Sequence, residues 1–168
     1  MIHLVRHAHA GKRRHWHGDD RKRPLTGRGW RQSRQLAKRL SELPIPVIYT
    51  SPHVRCVETV LPLGDMLGME VQTLKALREG QSPVGVLELL GDLPDHAVLC
   101  SHGDIIGGVI RRIAANGADL KGKGRLRDGR LIWQKASTWE LTATKGGKVK
   151  TARYVLPPYP DKSVKRPW

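Results

Sequence analysis

Three short apolar runs, Ile2–Val5, Val47–Tyr49 and Ala97–Cys100, lack the in–out alternation of a sheet with one face in water. Strands that are apolar on both sides must be covered on both sides, and a fourth strand is predicted over Glu70–Leu74. The segments between them read as helices. Thr26 precedes a stretch reaching about Leu43, with Trp30, Leu36, Ala37 and Leu40 on one face. Val54–Leu67 is followed by Gly68 where a C-cap glycine belongs, and Pro83–Leu90 and Ile105–Ala115 complete the set. Strands alternating with helices specify a mostly parallel sheet with helices on both faces, an α/β three-layer sandwich. The end of the chain differs: Ser137–Thr144 and Lys148–Val155 alternate around Gly146-Gly147, predicting an antiparallel hairpin at one sheet edge. At 168 residues this is one domain, over 1–156, followed by a Pro-rich tail at 157–168. Residues 116–130, rich in Gly, Lys and Arg, are expected to form a mobile loop.

Charge narrows the partners. Lys and Arg number 30 against 15 Asp and Glu, a formal charge of +15. Residues 1–39 carry twelve basic and two acidic side chains, 40–110 three and nine, and 111–168 fifteen and four. Two basic ends around an acidic middle predict a polarised surface that draws anions to one side. Few of the five Trp and three Tyr fall among the basic clusters, so single-stranded nucleic acid is not the favoured anion. The longest stretch without a charged residue, Leu43–Val54, is broken by Pro44, Pro46 and Pro52, so no membrane helix is expected. Cys56 and Cys100 make no disulfide framework, and both read as core residues. They suit a reducing cytoplasm, as does an N-terminus without a signal-peptide core.

In a parallel sheet, ligands bind beyond the carboxyl ends of the strands. There the sequence places Arg6, His7, Ala8 and His9 after the first strand, and Ser51, Pro52, His53 and Arg55 after the second. Ser101, His102, Gly103 and Asp104 follow the Ala97–Cys100 strand, at the start of a helix. Two His and two Arg beside a helix N-terminus suit a phosphoryl group. Two His-x-His pairs, His7/His9 and His15/His17, raise a metal site as an alternative, with only Asp19 and Asp20 near enough in sequence to complete it.

The strings LVRHAHA, RPLTGRG, YTSPHVRCVET and VLCSHGD resemble, in order, the signature blocks of the histidine phosphatase superfamily. The short chain is similar to the SixA-like branch. HAHAGKRRHWHGDDRKRPLTGRG is more similar still to the histidine phosphatase domain that follows a Nudix domain in some actinobacterial proteins, a domain for which 168 residues leave no room. The resemblance implies a metal-independent phosphatase, with no cofactor, acting on a phosphorylated small molecule or a phosphoprotein. His7 would be the nucleophile, its second ring nitrogen held by a backbone carbonyl. Arg6, Arg55 and His102 would bind the phosphoryl oxygens, and Ser51 and Gly103 would line the site. Glu79, in LREG, resembles the family's proton donor, with Asp19 or Asp20 as alternatives. Ala8 stands where the family usually has Gly. Trp16 and Arg13 are candidate substrate contacts on the basic loop, beside Lys12, Arg14, Arg21, Lys22 and Arg23. A non-catalytic module that binds phosphate, nucleotide or nucleic acid, and a metal-dependent phosphoesterase, are the alternatives. The oligomeric state is left open.

Overall fold

The computed structural model describes residues 1–124 and 130–158. Strands β1 (Ile2–Arg6), β2 (Ile48–Thr50), β3 (Val71–Thr73), β4 (Val98–Ser101), β5 (Asp119–Gly122), β6 (Thr138–Ala143) and β7 (Val149–Val155) form a single sheet in the order β3-β2-β4-β1-β6-β7-β5. Pairing is parallel from β3 through β1 and between β5 and β7, and antiparallel at β1–β6 and β6–β7. The predicted hairpin lies toward one edge, with β5 added outside it. Helices α1 (Gly27–Leu40) and α2 (Val54–Leu67) cover one face, packing Leu36, Leu40, Val60 and Leu63 on Val5, Ile48 and Val98. On the other face α3 (Val84–Leu89) and α4 (Gly103–Ala115) bring Val86, Ile106, Val109 and Ile110 onto Leu4, Leu99 and Trp139. Cys56 and Cys100 are buried and unbridged, and burial pushes the Cys100 thiol up. No helix among the described residues is long and apolar enough to cross a membrane.

Local signals explain the element ends. Thr26 caps α1 by accepting from Gly29 N–H at 3.2 Å, and Gly68 ends α2 at φ 63°, a conformation that favours glycine. Pro62 sits inside α2 and offers no N–H to the Glu58 carbonyl one turn back. The buried Ser33 hydroxyl on α1 fills that gap, lying 2.8 Å from both Glu58 O and Thr59 O. This fixes the two helices against each other.

The region expected as a loop over 116–130 contains β5, a correction to the sequence reading; residues 125–129 lie outside the described set. The strand has one apolar residue, Leu120, and owes its place to pairing with β7 rather than to a hydrophobic pattern of its own. Of the Pro-rich tail, residues 159–168 lie outside the described set.

Candidate active site

Parallel pairing of β1 with β4, in register from His3↔Val98 to Arg6↔Ser101, ends both strands at one level. His7 and His102 therefore emerge side by side, their rings meeting edge to face at 5.3 Å. The His7 amide continues the ladder by donating to Ser101 O at 3.0 Å. Pairing of β2 with β4 brings Ser51 to the same level, and the first turn of α2 delivers Arg55.

The glycines and small polar residues around these groups are positional. A Cβ on Gly29 would stand 2.1 Å from His9 O, so only glycine lets α1 approach the strand that carries His7. Thr26 ties the same point, its amide donating to His9 O at 3.0 Å. A Cβ on Gly103 would lie 2.9 Å from the Arg6 guanidinium, so this glycine makes room for the Arg6 fork at the start of α4. Asp104 accepts from Gly80 N–H at 2.7 Å and so holds the turn that presents Glu79. Ala8 fits: it is fully buried in a small apolar cluster, and its amide donates to Thr59 Oγ1 at 2.9 Å.

The His7 ring is oriented by Nδ1–H donating to Ala8 O at 2.8 Å. A carbonyl only accepts, so the ring's lone pair is on Nε2. Burial, then the charges of Lys135, His102 and Arg55, hold His7 well below the usual histidine range, and it is neutral at pH 7. His102 is driven down to about 2 by burial and by Arg55. Its Nε2 lies 2.8 Å from Ser51 Oγ, and its Nδ1 lies 3.3 Å from Arg55 Nη2. Arg55 is fully buried and donates to Glu79 Oε2 at 2.7 Å and to Asp20 O at 2.7 Å. Arg6 donates Nη1–H to Trp133 O at 2.6 Å. Among the described residues, the buried side-chain nitrogens without a hydrogen-bond partner include Arg6 Nε, Arg55 Nε and His53 Nδ1, all in this region. Two unsatisfied guanidinium donors beside neutral imidazoles are the chemistry of an anion site.

Of the residues predicted from sequence, Arg6, His7, Arg55, His102, Glu79, Ser51, Gly103 and Asp20 come together here. Asp20 does so because the basic loop folds back, placing Oδ2 3.2 Å from Arg55 Nη2 and Oδ1 2.8 Å from Arg23 Nε. Burial pushes the Asp20 carboxyl up, but Arg23, Arg55 and Arg13 outweigh it and hold it below its ordinary value. Asp19 faces away and is bound by Arg21, which keeps it at about 2. Trp16 donates its indole N–H to Asp19 O at 3.1 Å and so ties its own loop. Arg13 is exposed, with Nε 3.7 Å from Asp20. The His-x-His pairs do not gather. Instead His53, Glu79 and His102 bring donor atoms within 4.8 Å of one another, the group best placed to hold a cation. Arg55 already bonds two of the three.

Lys135 escaped the sequence reading, and His53 and Arg23, which it placed near the rim, have partners it did not foresee. Lys135 places Nζ 2.9 Å from His7 Nε2. Buried His53 sets its ring edge against His102 at a centroid distance of 4.6 Å. Arg23, expected on the solvated rim, is buried and donates to Ala10 O at 2.6 Å.

Comparison with known proteins bears on the family and the fold. Residues 2–83 match the model of the histidine phosphatase superfamily (branch 1). An 8-oxo-(d)GTP phosphatase of Mycolicibacterium smegmatis is 32% identical over 162 residues, covering 92% of this chain and 48% of that protein. The chain thus spans about half the length of the curated relative it matches. Among solved structures, the protein histidine phosphatase SixA complexed with tungstate superposes with a TM-score of 0.67 at 19% identity, over 92% of this chain and 94% of that one. A mycobacterial glucosyl-3-phosphoglycerate phosphatase complexed with VO3 gives 0.66 at 15% identity, over 92% and 97%. These two share the fold.

Proposed function

The chain belongs to the histidine phosphatase superfamily, and from that premise we propose that it is a metal-independent phosphatase working through a phosphorylated His7. One observation carries the reading: His7 Nδ1–H is committed to Ala8 O, which leaves the Nε2 lone pair among Arg6, Arg55 and His102. In the first step Nε2 attacks phosphorus in line. The N–P bond forms, the bond from phosphorus to the leaving oxygen breaks, and a carboxylic acid protonates that oxygen. In the second step water attacks phosphorus, the N–P bond breaks with its electrons returning to Nε2, and the same carboxylate takes the water proton. Arg6 and Arg55 meet charge on the equatorial oxygens where it develops. Arg55 Nη2 can only donate, so His102 Nδ1 accepts from it and the ring's N–H is on Nε2, facing Ser51 Oγ; the neutral ring thereby holds Arg55 in place for the phosphoryl oxygens. Glu79 is assigned as the proton carrier ahead of Asp20, because the Asp20 carboxyl is engaged by Arg23, Arg55 and Arg13, whereas Glu79 stands exposed at the mouth of the site with Oε2 on Arg55 Nη2.

The substrate is a phosphorylated polyanion, with nucleoside polyphosphates ahead of other phosphoanhydrides and of phosphohistidine proteins. Exposed Lys12, Arg13, Arg14 and Lys22 lie on the loop whose Asp20 touches Arg55, where further phosphates would be met. The relative named for 8-oxo-(d)GTP supports the same class. The test is phosphate release, in excess chelator, from esters, nucleotides and phosphohistidine, for wild type and His7→Ala, with trapping of phosphorylated His7. Turnover that survives chelator and vanishes in the variant is expected. Full phosphate release by His7→Ala overturns the mechanism. Loss of activity with chelator transfers the reaction to a metal at His53, Glu79 and His102.

A further inference from the structure

We propose that Lys135 is a phosphoryl-binding residue that also gates the nucleophile: its ammonium covers the His7 lone pair and moves onto the phosphoryl oxygens when substrate takes that place. The inference deepens the phosphatase reading and rests on it. The Nε2 lone pair has a single direction, and Lys135 Nζ sits within hydrogen-bond reach of Nε2 at 2.9 Å. A phosphorus poised for in-line attack needs the same direction at roughly 3–3.5 Å. The two positions exclude each other. With Lys135 in place His7 is 2% exposed, too little for a nucleophile to meet a substrate, so the ammonium must leave before chemistry.

The backbone keeps the displaced cation close. Trp133 O accepts from Arg6, Ser137 O accepts from the Arg6 amide at 3.0 Å, and Ala136 N–H donates to Arg6 O at 3.1 Å. Gln134 N–H donates to Tyr154 Oη at 3.2 Å. Ala136 holds φ at 61°, a left-handed conformation costly for alanine, in a fully buried position beside Ala8. The main chain is thus pinned while four side-chain torsions remain to swing Nζ by a few ångström. Around Lys135 stand the Arg6, Arg55 and Arg23 guanidiniums, the neutral rings of His7, His9 and His102, and the Cys56 thiol, with Glu79 and Asp20 as the carboxylates beyond Arg55. Burial and the three arginines lower the ammonium to about 7. The three histidines are all pushed down, so Lys135 is the group that changes charge as pH rises through neutrality.

The test uses tungstate, dilute enough to stay the monomeric dianion across this range, titrated at pH 6 and pH 8.5 into wild type, Lys135→Met and Lys135→Arg with binding read from intrinsic tryptophan fluorescence. Wild type is expected to bind more weakly at pH 8.5. Lys135→Met should bind about 10- to 100-fold more weakly at pH 6, the worth of one charge-assisted hydrogen bond, and lose the pH dependence. Lys135→Arg should keep the affinity at both pH values. A second readout needs neither anion nor turnover: carbethoxylation of His7, followed by peptide mass spectrometry, should be faster in Lys135→Met. Tungstate affinity equal to wild type in Lys135→Met, or no change in His7 reactivity, overturns the proposal. Failure of the phosphatase reading is a different result, a wild type that forms no phosphohistidine while its tungstate binding still depends on Lys135.

Discussion

Replacing Gly103 with alanine separates the placement of Arg6 from the stability of the fold. The new Cβ would stand 2.9 Å from Arg6 Cζ and Nη2 and 3.1 Å from Nε. Relaxed contacts of this kind lie near 3.5–4.0 Å, so the guanidinium must retreat by about 0.5–1 Å. Its bond from Nη1 to Trp133 O at 2.6 Å resists that movement on one side. A misplacement of this size at a group that stabilises the transition state costs roughly 10- to 100-fold in turnover. The fold should hardly notice. Displacing the end of a flexible side chain costs about 0.5–1.5 kcal/mol, and alanine in a helix recovers up to about 1 kcal/mol over glycine. The melting temperature should therefore stay within about 3 °C of wild type. The assay pairs phosphate release from an aryl phosphate with thermal melts on the same samples. Unchanged kcat/KM would refute the role given to Gly103. A melting temperature lower by about 10 °C or more would mean that the clash passes into the backbone of α4 instead of into Arg6.

Asp104→Ala frees the Gly80 amide and loosens Glu79, so kcat should fall about tenfold, part of the roughly 10²- to 10⁴-fold a proton donor supplies, while tungstate affinity is held. Ser33→Ala leaves Glu58 O without its donor opposite Pro62 and should lower unfolding free energy by about 1–3 kcal/mol, read from the urea midpoint. Acid stability depends on His3, which is fully buried and held at about 4 by burial, against 6.5 in an unfolded chain. Between these values the unfolded state binds more protons, so stability falls as pH drops through the window, by on the order of 3 kcal/mol for this residue. Urea unfolding of His3→Leu at pH 7 and pH 4.5 should show a correspondingly shallower loss than wild type.

The motif residues were legible because each sits directly after a parallel strand, where the sequence itself says the rim must be. Lys135 was not, for a geometric reason. β6 runs antiparallel to β1, with Thr138 opposite Val5, so the residues that reach the rim from this strand are those before it. Looking only past the carboxyl end of each strand misses them. Placing the Ser137–Thr144 strand beside the first one, and looking ahead of its amino end, would have found Lys135. β5 was missed because four residues with one apolar side chain carry no period of their own. Arg23 looked like another solvated cation of its loop; only the fold shows two backbone carbonyls waiting for it, Ala10 O and Gly11 O. Asp19 and Asp20 are neighbours of one chemistry, and the turn that begins at Asp20 sends one to Arg55 and the other to Arg21.

The sheet's two outer strands have a bearing on how such a basic chain behaves when crowded. β3 is three residues long, and β5 sets Asp119 and Lys121 along its four. Strands this short and this charged offer a passing chain little to hydrogen-bond along, which protects against edge-to-edge aggregation. The seven-stranded sheet can therefore be concentrated, or transiently frayed at its margins, without templating growth from either end.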